Sequence, residues 1–305
     1  MDSLSTGNVE FCLDVFKELN YNHAGDNVFF SLLSLLYALS MILLGARGTS
    51  AEPMEKVLHF NHIVEPSGPA FKALAKCNQA GRIHSDLGVF FSQINRPDSN
   101  YTLSIANRLY GTNAMAPHEG KSVTVEMMHR TGKFKLALIE EPQMQVLELP
   151  CVNSTLGVII LLPVGTADVD QVEKQLNSKT FQEWTSPPNM VERDVEVHLP
   201  RFKLEIKYEL NSLLESLGMT DIFSQVKADL SGISPVKGLF VSKIIHKSYV
   251  EVNEEGTEAA AATSDILVVK RLPIRAQFVV NHPFLFFIKR FHNNTVLLCG
   301  KLASP

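Results

Sequence analysis

The sequence lacks the short motifs that mark common enzyme classes. It contains no GxSxG nucleophile turn, no HExxH zinc motif, no phosphate-binding P-loop and no dinucleotide fingerprint. Each of these motifs fixes a nucleophile, a metal or a phosphate group by its spacing. Their absence argues against an enzyme, and we expect neither a catalytic residue nor a cofactor in this chain.

An excess of charge of one sign is also missing. The 305 residues carry 28 basic and 32 acidic side chains, which gives a net charge of −4. Nucleic-acid-binding proteins and polybasic membrane anchors need a clear excess of positive charge. We therefore expect neither nucleic acid nor a membrane among the partners of this protein.

Cysteine is sparse, and histidine is scattered. The four cysteines lie far apart and form no CxxC pair, so we expect free thiols rather than a disulfide framework. They are Cys12, Cys77, Cys151 and Cys299. His59 and His62 lie close together near a predicted helix end, but no neighbouring Cys, Asp or Glu completes a metal spacing. The sequence thus predicts no metal site.

The N-terminal segment lacks a signal-peptide pattern, because it has no basic start and charged residues interrupt its apolar positions. Residues Val28 to Leu44 form a long uncharged run. A membrane span is one interpretation, but the run is at the short limit for a bilayer and contains several serines. We favour a fully buried core helix. The expected location is the cytoplasm, with release to the extracellular space without a cleaved signal as a further route.

The remaining pattern predicts one α+β domain over residues 1–305. Helices are predicted over residues 8–60, 87–94, 169–176, 180–185 and 208–217, the last of them closed by Gly218. Strands are predicted over residues 103–109, 123–128, 134–139, 144–149, 156–162, 195–204, 240–252, 282–288 and 295–302. Residues 61–82 are polar and contain proline and glycine, so they are expected to form an exposed loop.

The stretch EEGTEAAAAT follows the predicted strand 240–252 and has no obvious local purpose. It consists of Glu254, Glu255, Gly256, Thr257, Glu258, Ala259, Ala260, Ala261, Ala262 and Thr263. Alanine favours a helix, and acidic residues favour a helix start. A helix here would nevertheless have no apolar face to bury. From composition alone, a solvated linker or a short surface helix is the simple interpretation.

Several motifs together resemble those of the serpin family, and the resemblance extends over nearly the whole chain. They are the stretch EEGTEAAAAT, the segment NHPFLFFI from Asn281, the ending LCGKL from Leu298, the segment ADLSGI from Ala228, and NVFFS and LLGARG around the long apolar run. The short N-terminus and the Ser-Pro ending are similar to clade B, the ovalbumin-like intracellular serpins. This resemblance implies mixed β-sheets, surrounding helices and an exposed reactive-centre loop over about residues 254–277.

The family resemblance gives EEGTEAAAAT a role as the hinge of that loop. Serpins are suicide substrates, because a protease cuts the loop and the loop then enters the main sheet as a new strand. Gly256 allows a sharp change of backbone direction. In an inserted strand, Thr257, Ala259, Ala261 and Thr263 would share one face, since side chains alternate along a strand. These small side chains could enter a sheet without bringing bulk or charge into the core.

Family spacing places the reactive bond fourteen residues after Gly256, between Lys270 and Arg271. A basic residue before the cut bond suits the acidic specificity pocket of a trypsin-like serine protease. The bond could equally follow Arg271. A dibasic pair on an exposed loop, open to trypsin without further meaning, is the simpler interpretation.

The chain also departs from the family, because a block of helices and main-sheet strands is missing around residues 118–122. The loop of a serpin inserts beside the third strand of the main sheet, and no equivalent of that strand is found here. An inserted loop would therefore gain a strand partner on one side only. We expect a non-inhibitory serpin, which is either a protease substrate or a partner-binding remnant. Open sheet edges also predict self-association.

Overall fold

The computed structural model describes residues 3–60, 124–151, 156–252, 275–291 and 294–304. Within them the chain forms two compact units. One unit contains residues 3–18, 31–60 and 207–247, and the other contains residues 19–30, 124–151, 156–206, 248–252, 275–291 and 294–304. The predicted loop 61–82, helix 87–94 and strand 103–109 lie outside the described residues.

Six α-helices and ten strands follow one another along the described chain. In order they are α1 Ser3–Asn22, β1 Val28–Ser31, α2 Leu32–Gly45, α3 Gly48–Val57, β2 Met127–Ile139, β3 Met144–Pro150, β4 Leu156–Pro163, α4 Val169–Gln175, α5 Ser178–Trp184, β5 Val191–Pro200, β6 Phe202–Glu209, α6 Asn211–Leu217, β7 Ile245–Val252, β8 Ala276–Val279, β9 Phe284–Arg290 and β10 Val296–Leu302. The mixture confirms the predicted α+β class.

The uncharged run from Val28 to Leu44 is not one buried helix, and that prediction was wrong. Its first four residues form β1, and α2 begins only after Ser31, whose side chain caps the helix by accepting from the backbone N–H of Ser34. One face of α2 is also exposed, at Tyr37, Met41 and Leu44. No helix among the described residues is both long and apolar enough to cross a membrane.

An eight-stranded sheet holds most of the β structure, in the order β1-β10-β9-β4-β3-β2-β5-β8. Neighbours from β10 to β5 pair antiparallel, whereas β8 pairs parallel to β5. The strands predicted over 123–128 and 134–139 differ from the structure. Residues 127–139 form one continuous strand, and residues 124–126 precede it. Strand β4 has the predicted bounds within a residue and is buried along most of its length.

The core against this sheet is rich in phenylalanine. Phe29, Phe202, Phe284 and Phe286 are buried together, and the ring centroids of Phe202 and Phe286 lie 5.6 Å apart. Gly300 in β10 permits this packing, since a Cβ there would lie 2.5 Å from the Phe286 ring and 2.9 Å from the Val28 carbonyl oxygen. The described cysteines form no disulfide, and Cys12 and Cys299 are buried whereas Cys151 is partly buried. Cys77 lies outside the described residues.

Strands β6 and β7 form a separate two-stranded sheet. Three predicted bounds are corrected here. The strand predicted over 195–204 is two strands, because the chain breaks between β5 and β6 at Arg201. Tyr208 lies in β6, so the helix predicted from it begins at Asn211, and it ends as expected at left-handed Gly218 with φ +115°. The strand predicted over 240–252 is confined to residues 245–252.

Candidate functional site

The predicted reactive loop is framed by two described strands. Strand β7 ends at Val252, and β8 begins at Ala276. Residues 253–274 lie outside the described residues, and with them the whole predicted hinge from Glu254 to Thr263 and the predicted reactive bond at Lys270 and Arg271. The predicted extent of about 254–277 stays a prediction, and its last two residues, Ala276 and Gln277, lie in β8.

The first anchor of the loop is the buried face of β7. His246 is buried, and its Nε2 accepts the backbone N–H of Ser31 at 3.0 Å. Burial lowers the pKa of His246 to about 4. The low pKa and the hydrogen-bond geometry both indicate a neutral ring, because Nε2 can accept this bond only while it carries no proton. The imidazole is therefore neutral at physiological pH, with its proton on Nδ1.

Ser248 is the next inward-facing residue of β7. Its buried hydroxyl donates to the Phe29 carbonyl oxygen at 3.0 Å. Val250 and Val252 continue the same face and pack against the phenylalanine-rich core. A strand with period two places all four residues on one side. The polar residues at the start of β7 and the apolar residues at its end therefore fix the point from which the loop departs.

The outward face of β7 is polar. Tyr249 donates its hydroxyl to Glu251, and the ammonium group of Lys203 lies 5.1 Å from the centroid of the Tyr249 ring. The hydrogen bond to Glu251 is the main cause that raises the pKa of Tyr249. These contacts join neighbouring side chains on β6 and β7. The face is an ordinary solvated sheet surface and offers no nucleophile or acid–base pair aimed at a substrate.

The pairing of β7 is the feature that bears most on loop insertion. Within the residues that the structure describes, β6 is the one strand that pairs with β7. A loop that inserted beside β7 would lie against its other edge.

The second anchor of the loop is β8. Phe278 is fully buried in the core cluster, and the Val280 backbone N–H donates to the His198 carbonyl oxygen at 2.9 Å. Gln277 donates its side-chain amide to Glu196 Oε2 at 2.9 Å. This bond, together with one from His198, holds the pKa of Glu196 below its usual range. The return of the chain from the loop is therefore fixed to β5 through backbone and side-chain bonds.

His59, which the sequence had singled out, has two acidic partners. Its Nε2 lies 2.7 Å from Asp14 and its Nδ1 lies 3.2 Å from Glu10. The hydrogen bond with Asp14 is the main reason that the pKa of His59 is raised. Since the two carboxylates face different ring nitrogens, they do not converge on one ion. His62 lies outside the described residues.

Sequence reasoning missed the anchoring residues Ser31, His246, Ser248 and Gln277. A signal for two of them was present, because Lys247, Tyr249 and Glu251 alternate along the strand and mark its outer face. The same alternation assigns His246 and Ser248 to the inner face. Their partners near β1 could not be found in this way, since they are more than two hundred residues away in the chain, at separations of 215 and 219.

Comparison with known proteins gives one family for the whole chain. The model of the family described as Serpin (serine protease inhibitor) matches residues 6–120 and 116–305. Serpin B11 of Homo sapiens is 57% identical over an alignment of 392 residues that covers 100% of both chains. Serpin B11 of Mus musculus is 45% identical over 392 residues, and leukocyte elastase inhibitor of Equus caballus is 34% identical over 396, each with complete coverage of both chains.

The same matches bear on the missing block. The two segments of the family match meet within residues 116–120, where the sequence predicts the shortening. The alignment with the human relative is also longer, at 392 residues, than the 305 residues of this chain. An internally shortened form, as predicted, accounts for both findings.

Solved structures agree on the fold. Uncleaved ovalbumin superposes with a TM-score of 0.80 at 28% identity, and the match covers 99% of this chain and 100% of ovalbumin. A structure described as a tumour suppressing serpin gives a TM-score of 0.75 at 24% identity, with 100% of both chains covered. The second likeness concerns the fold alone.

Proposed function

The chain belongs to the serpin family of serine protease inhibitors, and we propose that it offers its loop to trypsin-like serine proteases as a substrate without trapping them. Lys270 and Arg271 are the residues that the protease would recognise. A long cation before the cut bond pairs with the acidic base of a trypsin-like pocket. The nucleophile belongs to the protease, and this chain contributes the peptide bond.

One observation carries the non-inhibitory part of the proposal, namely that β7 pairs with β6 alone within the described residues. A trap requires that the cut loop become a central strand of a sheet. A central strand satisfies its backbone N–H and C=O groups on both sides, whereas an edge strand leaves one row open to water. Insertion beside β7 would thus gain far less than insertion between two strands, and the acylated protease would be released by hydrolysis.

The alternative is that the chain still inhibits by the suicide mechanism. The small side chains at alternate positions from Thr257 to Thr263 favour it, because they suit entry into a sheet. A relative carries the name leukocyte elastase inhibitor. A partner-binding remnant is the third candidate function. For each of these we infer the cytoplasm as the location, with release to the extracellular space without a cleaved signal as a second route.

The test is incubation of the purified chain with trypsin, followed by denaturing electrophoresis and mass spectrometry. We expect a clean cut after Lys270 or Arg271 and no covalent complex. Lys270→Ala and Arg271→Ala, singly and together, should identify the cut bond. Lys227→Ala is the matched control, because Lys227 is an exposed lysine distant in sequence from the loop. A complex that survives SDS would overturn the non-inhibitory proposal.

Thermal unfolding of the cut chain gives a second readout. Loop insertion stabilises a serpin, so an inhibitor should gain in Tm when its loop is cut. We expect no gain here, since a strand added at the edge of β7 would have one partner. Resistance of the double variant to cutting between residues 254 and 274, with the parent chain cut there, would confirm that the loop is the substrate segment.

A further inference from the structure

Two histidines and a glutamate converge on the eight-stranded sheet, beside the second anchor of the loop. In the register of β2 with β5, His129 stands directly opposite His198. Glu196 precedes His198 by two residues in β5, and Gln277 of β8 is opposite Glu196. Since side chains of a strand alternate between faces, His129, Glu196 and His198 share one face of the sheet.

The distances show how closely these groups meet. Glu196 Oε1 lies 3.1 Å from Nε2 of His129 and 3.1 Å from Nε2 of His198. The two imidazole rings are 4.7 Å apart between centroids. One ligand atom from each of the three residues lies within 4.8 Å of the other two. Both histidines therefore present the same nitrogen towards the same carboxylate oxygen.

We propose that His129, Glu196 and His198 bind a divalent transition-metal ion, with Zn²⁺ as the preferred ion. Imidazole nitrogen and carboxylate oxygen are the ligand types of zinc sites, with bonds of about 2.0–2.2 Å. A tetrahedral site with such bonds has ligand atoms about 3.3 Å apart, close to the spacing between Glu196 and each histidine. The ion would replace the protons that the two Nε2 atoms otherwise carry towards Glu196.

The surroundings of the cluster suit a site with three protein ligands. The side chain of His129 is 51% exposed and those of Glu196 and His198 are 29% and 30% exposed, so an ion can enter from solvent and keep a water as its fourth ligand. Gln277 donates to Glu196 Oε2, the oxygen that faces away from the histidines. It is a positioning residue, because it orients the carboxylate without touching the ion.

The proposed ion would join two strands directly and a third through Gln277. β2 and β5 supply the ligands, and β8, where the predicted loop ends, supplies the positioning residue. The sequence predicted no metal site because these residues are distant in the chain, with His129 and Glu196 separated by 67 positions. This inference does not depend on the proposed function, and its test involves no protease.

The test is titration of the full chain with Zn²⁺ alone, by calorimetry and by equilibrium dialysis with metal analysis. The parent chain should bind one more Zn²⁺ than His129→Ala or His198→Ala. Gln277→Ala should keep the site but weaken it by about tenfold, as outer-shell losses do. Co²⁺ should give the visible absorption of a four-coordinate ion in the parent chain and lose it in His198→Ala.

The matched control is His23→Ala. His23 also lies beside a carboxylate, at 3.9 Å from Asp26, but that pair includes no second histidine. We expect this variant to bind Zn²⁺ as the parent does. His129→Gln serves as a second variant that keeps a polar side chain on the exposed sheet surface, and circular dichroism checks its fold. Equal zinc binding by the parent, His129→Gln and Glu196→Gln, or no binding by the parent, would overturn the proposal.

Discussion

His246 shows how one buried side chain makes the stability of the β7 anchor depend on pH. Its pKa falls from 6.5 to about 4 because burial disfavours the charged form. The unfolded chain therefore binds a proton between these pH values that the folded chain does not bind. Stability rises with pH wherever the unfolded state binds more protons. The stability that the neutral, buried imidazole contributes is fully present above pH 6.5, and it is lost as the pH falls towards 4.

We predict that His246→Gln removes this part of the pH dependence. Glutamine can still accept the Ser31 N–H through its side-chain oxygen, but it does not titrate. The free energy of unfolding of the parent should fall by about 3 kcal/mol more than that of the variant between pH 7 and pH 4. Urea unfolding at several pH values measures how the free energy of unfolding changes with pH in the parent and in the variant.

The control for this prediction is His23→Gln. His23 has a side chain that is 45% exposed, so this variant replaces a histidine that is not buried in the core. If His246→Gln showed the same slope as the parent, the buried imidazole would not be the titrating group. His129→Gln is unsuitable here, because a bound metal would add its own pH dependence.

Among the elements, β10 depends on a close approach that only glycine allows. A Cβ at Gly300 would lie 2.9 Å from the Val28 carbonyl oxygen and 2.5 Å from the Phe286 ring. Neither group can easily make room for the new methyl group, because the Phe286 ring lies in a packed core and the Val28 carbonyl belongs to the backbone. We predict that Gly300→Ala destabilises the protein by about 1–3 kcal/mol, the usual cost of overpacking. Urea unfolding at neutral pH measures it.

Gly132→Ala is the matched comparison, since it also adds one methyl group to a strand glycine. Its new Cβ would meet only the outer atoms of the Phe134 ring, at 3.2 Å and 3.3 Å. We expect a smaller loss of stability than at Gly300. Equal losses at the two positions would mean that strand propensity, and not the contact with β1 and Phe286, decides the cost.

Elements with a distinct local pattern were predictable from the sequence, and those without one were not. The apolar run predicted strand β4 correctly, and Gly218 predicted the end of α6 correctly. The start of α2 was missed because every residue from Val28 to Leu44 is uncharged, so the run offers no periodicity to separate β1 from the helix. Ser31 was the available signal, since a serine before an apolar run is a common helix cap.

The candidate site was predictable only in part, for a physical reason. The hinge and the reactive bond came from a family resemblance, and they lie outside the described residues. The contacts around β7 and β8 arise from pairing between strands distant in the chain. Register places His129 opposite His198 and Gln277 opposite Glu196, and a sequence pattern contains no information on which strands will be neighbours.

For the whole molecule, the exposed apolar face of α2 bears on the predicted self-association. Tyr37, Met41 and Leu44 recur at helical spacing and are 40%, 50% and 53% exposed. Residues with this spacing lie on one side of a helix. Clustered exposed apolar side chains promote association, whereas isolated ones are common on protein surfaces. A sheet edge left unpaired would act in the same direction, and among the described residues β7 pairs with β6 alone.

We predict that the chain associates reversibly and that Met41→Glu with Leu44→Glu shifts this association to higher concentration. Two charges on the exposed face would oppose its burial against a second copy, because an unpaired carboxylate is costly to remove from water. Sedimentation velocity over a range of concentrations measures the shift. Val226→Glu is the control, since Val226 is 94% exposed and lies outside the α2 face. A parent chain that is monomeric at all concentrations would contradict the prediction. If the double variant and Val226→Glu associated equally, the contact would lie elsewhere than on α2, and an edge of the sheet of β6 and β7 would be the remaining candidate.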